Sequence, residues 1–280
     1  MPSLNRLGGI LVVIGISLLG STAQAQSSGA GQTVSVNGME MYYEIHGQGE
    51  PLVLLHGFFN SGAQWRQLPE ILAAEYQVIV PDLRGHGRST NPSNELTHKQ
   101  AASDVFALLD HLSVDEFQAM GISSGGMTLL HMATSQPERV DAMILIGATS
   151  YFPAEDRAIK RAIDPETQPL SANMRRRHVH GDDQIRALWR QFRDSADNYD
   201  DVNFTPPYLS TITARTLIVH GDRDQYFPVN IPVDEYEAIP HSYLWIVPNG
   251  PHIPIFETGA TTDYFTATAL AFLRGEWEPQ

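Results

Sequence analysis

Gly121-Ile122-Ser123-Ser124-Gly125 follows an apolar run at residues 117–120 and opens a helical stretch at 127–134. A G-x-S-x-G pentapeptide at a strand-to-helix junction holds its serine on a sharp turn. The small residues around Ser123 let the chain reverse there, where a bulky neighbour would meet the passing backbone. The expectation is that the Ser123 hydroxyl stands at the carboxyl end of a sheet, pointing at substrate. Ser124 is a second hydroxyl, but only Ser123 is central between the two glycines. In this reading the Ser124 side chain is incidental and its backbone N–H is not.

Two further groups lie downstream in the order this geometry requires. Arg215-Thr216-Leu217-Ile218-Val219-His220-Gly221-Asp222-Arg223-Asp224 reads as a buried parallel strand ending in a polar turn. Residues 242–247 form another strand, followed by Pro248-Asn249-Gly250-Pro251-His252. Serine, acid, histidine is the chain order of one known triad arrangement and differs from two others. A serine hydroxyl needs a neighbouring base, and imidazole, with an ordinary pKa of roughly 6.5, can take and return the proton. His252 is the candidate among eleven histidines because it follows a late strand and a Gly-Pro turn. Asp222 and Asp224 both compete for the acid that orients it.

These stretches resemble the α/β-hydrolase superfamily, in the branch of small bacterial esterases, cofactor-free haloperoxidase-like enzymes and C–C bond hydrolases. The likeness also rests on Leu52-Val53-Leu54-Leu55-His56-Gly57-Phe58 and on Val80-Pro81-Asp82-Leu83-Arg84-Gly85-His86-Gly87-Arg88-Ser89. It implies an α/β fold: a mostly parallel central sheet with helices on both faces and a helical cap insertion. It assigns the acid to Asp224 of the H-G-D-x-D pattern, leaving Asp222 as a turn carboxylate. It places an oxyanion hole at the backbone N–H groups of Phe58 and Ser124, and makes residues 84–87 a structural loop. A serine at position 123 argues against dehalogenase and epoxide-hydrolase chemistry, which use a carboxylate nucleophile on this fold.

The first 25 residues read as a secretory signal peptide. A weakly positive start precedes the apolar residues 7–20, and Ala23-Gln24-Ala25 offers a cleavage site. The run is shorter than the roughly 20 residues that span a bilayer. Export to the periplasm or beyond is expected, with no membrane attachment after cleavage. The chain has no cysteine, so disulfides and thiolate–metal chemistry are excluded. A formal charge of −14 argues against a nucleic-acid partner. No His/Asp/Glu cluster has metal-ligand spacing, and no glycine motif fits a phosphate loop or dinucleotide fingerprint. Neither a metal nor a cofactor is expected.

Residues 26–32 read as a flexible leader, and 33–149 with 209–275 as the hydrolase core. Asn37-Gly38 marks a hairpin. A helix is expected over 64–76, and another from Thr97, a plausible N-cap, to Leu112. Between 150 and 208 the strand pattern stops, and the charged, amphipathic stretch reads as a helical cap. Phe59, Trp65, Tyr151, Phe152, Trp189 and Phe192 are candidate pocket aromatics, whereas Arg175-Arg176-Arg177 reads as a solvated charge run. His111, His131 and His178 read as surface or packing residues. The expected activity is hydrolysis of a small carboxylic ester through an acyl-enzyme. The same triad would support lactone opening, C–C cleavage or perhydrolysis, and a receptor with slow or no turnover is a further alternative. Oligomeric state is not legible in the sequence.

Overall fold

Along the strand Glu50–Leu55, Leu52 and Leu54 face one hydrophobic cluster while Val53 and Leu55 face the other. Successive strand side chains point to opposite faces, so burial on both sides produces an uninterrupted apolar run. A computed structural model describes residues 31–256 and 259–277, the side chains of 259 and 260 excepted. The signal-peptide reading and most of the leader lie outside the described residues.

Strands β1 (Gln32–Val36) and β2 (Met39–His46) form an antiparallel hairpin, turning at Asn37 and Gly38 with φ of 45° and 74°. These left-handed angles are what a two-residue hairpin loop requires. They are followed by β3 (Glu50–Leu55), helix α1 (Leu68–Leu72), β4 (Tyr76–Pro81), α2 (His98–His111), β5 (Phe117–Ile122), α3 (Ser124–Ser135) and β6 (Val140–Ile146). The insertion carries α4 (Ala154–Arg161), α5 (Ala172–Arg177) and α6 (Asp182–Asp194), with α7 (Pro206–Leu209) at its exit. The core resumes with β7 (Arg215–Gly221), α8 (Asn230–Ala238), β8 (Ser242–Val247) and α9 (Gly259–Leu273). The sheet order is β1-β2-β4-β3-β5-β6-β7-β8, parallel from β4 to β8.

Helices cover both faces. Val105, Leu108 and Leu109 of α2 and Leu129 and Met132 of α3 pack with Val53, Leu55, Met143 and Leu145. On the opposite face Leu68 and Leu72 of α1 and Phe265 and Phe272 of α9 pack with Leu52, Leu54, Ile144 and Val219. Thr97 caps α2, its side chain accepting from Gln100 N–H at 3.0 Å. The expected helix over 64–76 is corrected. It breaks into a 3-10 turn at Gly62–Trp65 and the short α1, because Arg66 takes φ 54° between them. Because β3, β5, β7 and β8 run in one direction, the loops after residues 55, 122, 221 and 247 open on one edge of the sheet. Ligands bind at that edge in open α/β sheets.

Candidate active site

The turn at Ser123 is tightly constrained. Ser123 has φ 51° and ψ −114°, and its N–H donates to Ile146 O at 2.8 Å. A non-glycine residue held at positive φ is costly and persists only where its surroundings enforce it. A Cβ on Gly121 would lie 2.6 Å from the backbone of Gly125, and one on Gly125 would lie 2.2 Å from Leu55 O. Only glycine fits either place.

Ser123 Oγ lies 3.0 Å from His252 Nε2, and His252 Nδ1 lies 2.7 Å from Asp224 Oδ2. The sequence positions 123, 224 and 252 thus meet at one point. Asp224 Oδ1 accepts the N–H groups of Tyr226 at 2.8 Å and Phe227 at 3.2 Å, which fixes the carboxylate. Burial raises the Asp224 pKa, but the His252 hydrogen bond and charge, with the Tyr226 N–H, bring it to a net value below the ordinary one. An ionised Asp224 makes Nδ1 the protonated ring nitrogen and leaves Nε2 free to accept the serine proton. Asp222 takes no part in this contact; its nearest cation is Arg223, 3.9 Å away. Tyr226 and Phe227 hold the imidazole edge-to-face at ring-centre distances of 4.9 and 5.3 Å.

The backbone N–H groups of Phe58 and Ser124 have no hydrogen-bond partner among the described residues. They flank Ser123, whose Cβ would lie 3.4 Å from a Cβ on Gly57. Two unsatisfied donors beside a serine hydroxyl are the requirement for receiving a developing oxyanion.

Above the site lies a cavity of about 580 Å³, bordered by Ser123, His252, Phe58, Phe59, Phe152, Trp189, Phe192, Tyr226 and Phe227. Phe59 packs against Trp189 at 4.2 Å and against Phe192 at 5.1 Å, so α6 closes over the loop that follows β3. Two aromatic candidates are corrected. Tyr151 is 38% exposed and does not border the cavity: it bridges to Asn203, and the alternation that turns Phe152 inward turns Tyr151 out. Trp65 is fully buried in the core under α1. Arg175 makes an exposed ion pair with Asp182, while Arg177 donates to Phe59 O at 3.0 Å.

Several polar contacts were not expected from sequence. Lys160 and Asp156 pair at 2.8 Å on α4, nearly inaccessible to solvent, and both border the cavity. Burial lowers the Lys160 pKa to about 8 and raises that of Asp156. The Lys160 ammonium also sits 3.2 Å from the centre of the Phe152 ring. The Ser124 side chain, expected to be incidental, is bonded to His98 at 2.8 Å. Two histidines assigned to surface or packing are bonded as well. His131 donates to Asp201 O at 2.6 Å, and His178 joins Gly87 N–H to Phe59 O at 3.0 and 3.1 Å. The 84–87 loop is held by Arg84, whose guanidinium donates twice to buried Asp104 at 2.7 Å. Alternating i and i+4 positions could have flagged the Asp156–Lys160 pair; nothing local could have flagged His98.

Comparison with known proteins agrees with this architecture. A family model described as alpha/beta hydrolase fold matches residues 50–169. The dihydrolipoyllysine-residue acetyltransferase component of an acetoin cleaving system from Pseudomonas putida is 37% identical over 281 residues, covering 91% of this chain and 72% of that protein. Serine hydrolase BPHL from Mus musculus is 27% identical over 235 residues, covering 78% of this chain and 79% of that protein. The crystal structure of an enol-lactonase from Burkholderia xenovorans LB400 superposes with a TM-score of 0.72 at 21% identity, over 87% of this chain and 100% of that one. Strand order, elbow geometry and these relatives converge: the chain belongs to the α/β-hydrolase family and is a hydrolase.

Proposed function

We propose that this protein is an exported serine hydrolase that cleaves a small carboxylic ester through an acyl-enzyme. One observation carries the proposal: the unbroken Ser123–His252–Asp224 contact, at 3.0 and 2.7 Å, beneath an aromatic cavity. His252 Nε2 takes the Ser123 proton as Oγ attacks the ester carbonyl. The carbonyl oxygen becomes an oxyanion and turns to the N–H groups of Phe58 and Ser124. Asp224 stabilises the imidazolium, which returns its proton to the departing alcohol. Water then enters and attacks the acyl carbon as His252 takes one of its protons, and His252 returns that proton to Ser123 Oγ as the Oγ–acyl bond breaks and the acid leaves. The aromatic lining favours an apolar acyl or alcohol group, and the Asp156–Lys160 pair offers it one polar neighbour. No cofactor, nucleic acid or membrane takes part in these steps.

Ser123→Ala should abolish p-nitrophenyl butyrate hydrolysis while circular dichroism and melting temperature stay at wild-type values. A fluorophosphonate probe should label wild type on Ser123 by mass spectrometry. Turnover retained in the alanine variant would falsify the assignment. Lactones and thioesters in the same assay separate the ester reading from lactone opening. Export rests on residues 1–25: protein recovered from the periplasm or medium should begin at Gln26, and an intact Met1 there would refute cleavage.

A further inference from the structure

The residue after the proposed nucleophile has a histidine and a carboxylate of its own. Ser124 Oγ lies 2.8 Å from His98 Nε2, and His98 Nδ1 lies 2.6 Å from Asp201 Oδ2. These distances match those of the Ser123 triad. The three residues come from separate parts of the fold: Ser124 opens α3, His98 opens α2, and Asp201 lies in the cap insertion between α6 and α7. All three border the cavity.

The direction of each hydrogen bond follows from the chemistry. Burial raises the Asp201 pKa, but hydrogen bonds from His131 and His98 outweigh it and hold the carboxyl far below the ordinary range. Asp201 therefore only accepts. It takes the backbone N–H of His98 at 2.9 Å and of Lys99 at 3.1 Å, closing the first turn of α2, and it takes the ring N–H at Nδ1. A neutral imidazole protonated at Nδ1 leaves Nε2 as an acceptor. Ser124 then donates its hydroxyl to Nε2. The chain of bonds runs from the cap to the nucleophile turn.

Ser124 is not built like Ser123. It lies in the regular first turn of α3, outside the left-handed turn that lifts the Ser123 hydroxyl clear of the backbone. Its own hydroxyl is already committed to His98. What Ser124 does offer the reaction is its N–H. The first N–H groups of a helix have no intrahelical partner, so this amide is not held by the helix ladder. Catalytic donors must stay within roughly 0.5 Å of their working position.

We infer that Asp201–His98–Ser124 is a positioning chain that anchors the Ser124 side chain, and so fixes the Ser124 N–H where the oxyanion develops. It makes a cap residue part of the transition-state machinery. The inference rests on the nucleophile and oxyanion assignments made under Proposed function.

Ser124→Ala keeps the N–H and removes only the anchor. In that variant kcat for p-nitrophenyl butyrate should fall about 10- to 100-fold, short of the roughly 100- to 1000-fold typical of a lost donor. KM should stay within about twofold, since an interaction made only in the transition state acts on kcat. Affinity for an alkyl boronic acid, which forms a tetrahedral adduct, should fall by the same factor as kcat/KM. Asp201→Asn should lose kcat in the same way. The Ser124→Ala/Asp201→Asn double variant should be no slower than the slower single, because members of one chain couple.

An unchanged kcat in Ser124→Ala, or losses that multiply in the double variant, would overturn the proposal. So would fluorophosphonate labelling of Ser124 in Ser123→Ala, which would make Ser124 a nucleophile instead. Should Asp201→Asn fail to fold, Ser124→Ala still decides, as it deletes one oxygen. Ser123→Ala runs in parallel: turnover there defeats the nucleophile assignment itself, whereas a dead Ser123→Ala beside an unimpaired Ser124→Ala defeats only the positioning chain.

Discussion

At the scale of single residues, the acid of the site shows how spacing and geometry divide the work. Asp222 and Asp224 sit two positions apart at the end of β7, and residue type alone does not separate them. The turn does. Asp224 N–H donates to Gly221 O at 3.1 Å, which carries its side chain back under the imidazole, while Asp222 takes no part in that contact. Asp224→Asn keeps the size but loses the charge and the fixed acceptor, so the imidazole can settle in the wrong tautomer. By analogy with the same change in serine proteases, kcat should drop about 10⁴-fold, with little change in melting temperature. Asp222→Asn should stay within about twofold of wild type in the same assay, because its carboxylate touches no triad atom. Equal losses in the two variants would reverse the assignment. Ser123 and His252 were legible because each is defined by local punctuation: two glycines in one case, a Gly-Pro turn in the other. His98 and Asp201 were not. Their meeting joins positions 103 residues apart, and neither stands in a local motif.

At the scale of elements, what was legible followed from periodicity. Strands buried on both faces read as unbroken apolar runs, and α2 announced itself through Thr97 and one apolar stripe. Where a single residue broke the pattern, the expectation failed. Arg66 at φ 54° splits the helix expected over 64–76, and Pro69, in the first turn of α1, is the local mark of a new helix start just beyond that break. The cap followed different rules. Its boundaries were visible as a change in composition, but the inward face was not, because a cap helix packs against a cavity as well as a core. Trp189 and Phe192 on α6 face the cavity, and Ile185 and Leu188 on the same helix are buried. Tyr151 and Phe152 are equally aromatic and adjacent, yet the bridge at the base of the cap sends one outward. The Asp156–Lys160 pair on α4 gives the cap a further character. Desolvating two charges offsets most of what their attraction returns, so a buried pair is weak evidence for stability. Its position beside Phe152 and the cavity suits substrate selection better than it suits the core.

At the scale of the whole molecule, three buried histidines tie the cap to the core and set its response to acid. His56, His86 and His178 stand in a row, with ring centres 5.2 and 6.0 Å apart. His56 Nε2 accepts Leu83 N–H at 2.9 Å, and His178 Nδ1 accepts Gly87 N–H at 3.0 Å, so both rings must be neutral. Burial lowers the His56 pKa to about 3 and that of His178 to about 4, and takes His86 well below its ordinary value. In the unfolded chain each would titrate near ~6.5. Below that pH the unfolded state binds more protons, so these groups stabilise the fold fully above ~6.5 and progressively less as pH falls toward their folded values. Glu235 acts in the opposite sense. Burial raises its pKa to about 8, so its share is full below the ordinary carboxylate pKa and is lost as pH rises toward 8. His220, whose pKa burial also lowers, joins the three histidines, and together they outnumber the raised carboxyls of Glu235, Asp82 and Asp156 between about pH 6.5 and 4.5, where each proton of difference is worth about 1.4 kcal/mol per pH unit. The depressed carboxyls of Asp201 and Asp224 add their losses only below that window. Melting temperature should therefore peak near pH 6 to 7 and fall as the buffer is taken to 4.5. His178 marks the weak point, since a proton on Nδ1 would turn that acceptor into a donor facing the Gly87 N–H and release the cap from the loop at residues 84–87. His178→Gln can still accept from Gly87 but cannot ionise, so its melting temperature should lie below wild type at pH 7 and approach it by pH 4.5. A gap that stays constant over that range, or a wild-type melting temperature that rises with acid, would show that these rings are not held neutral by the fold.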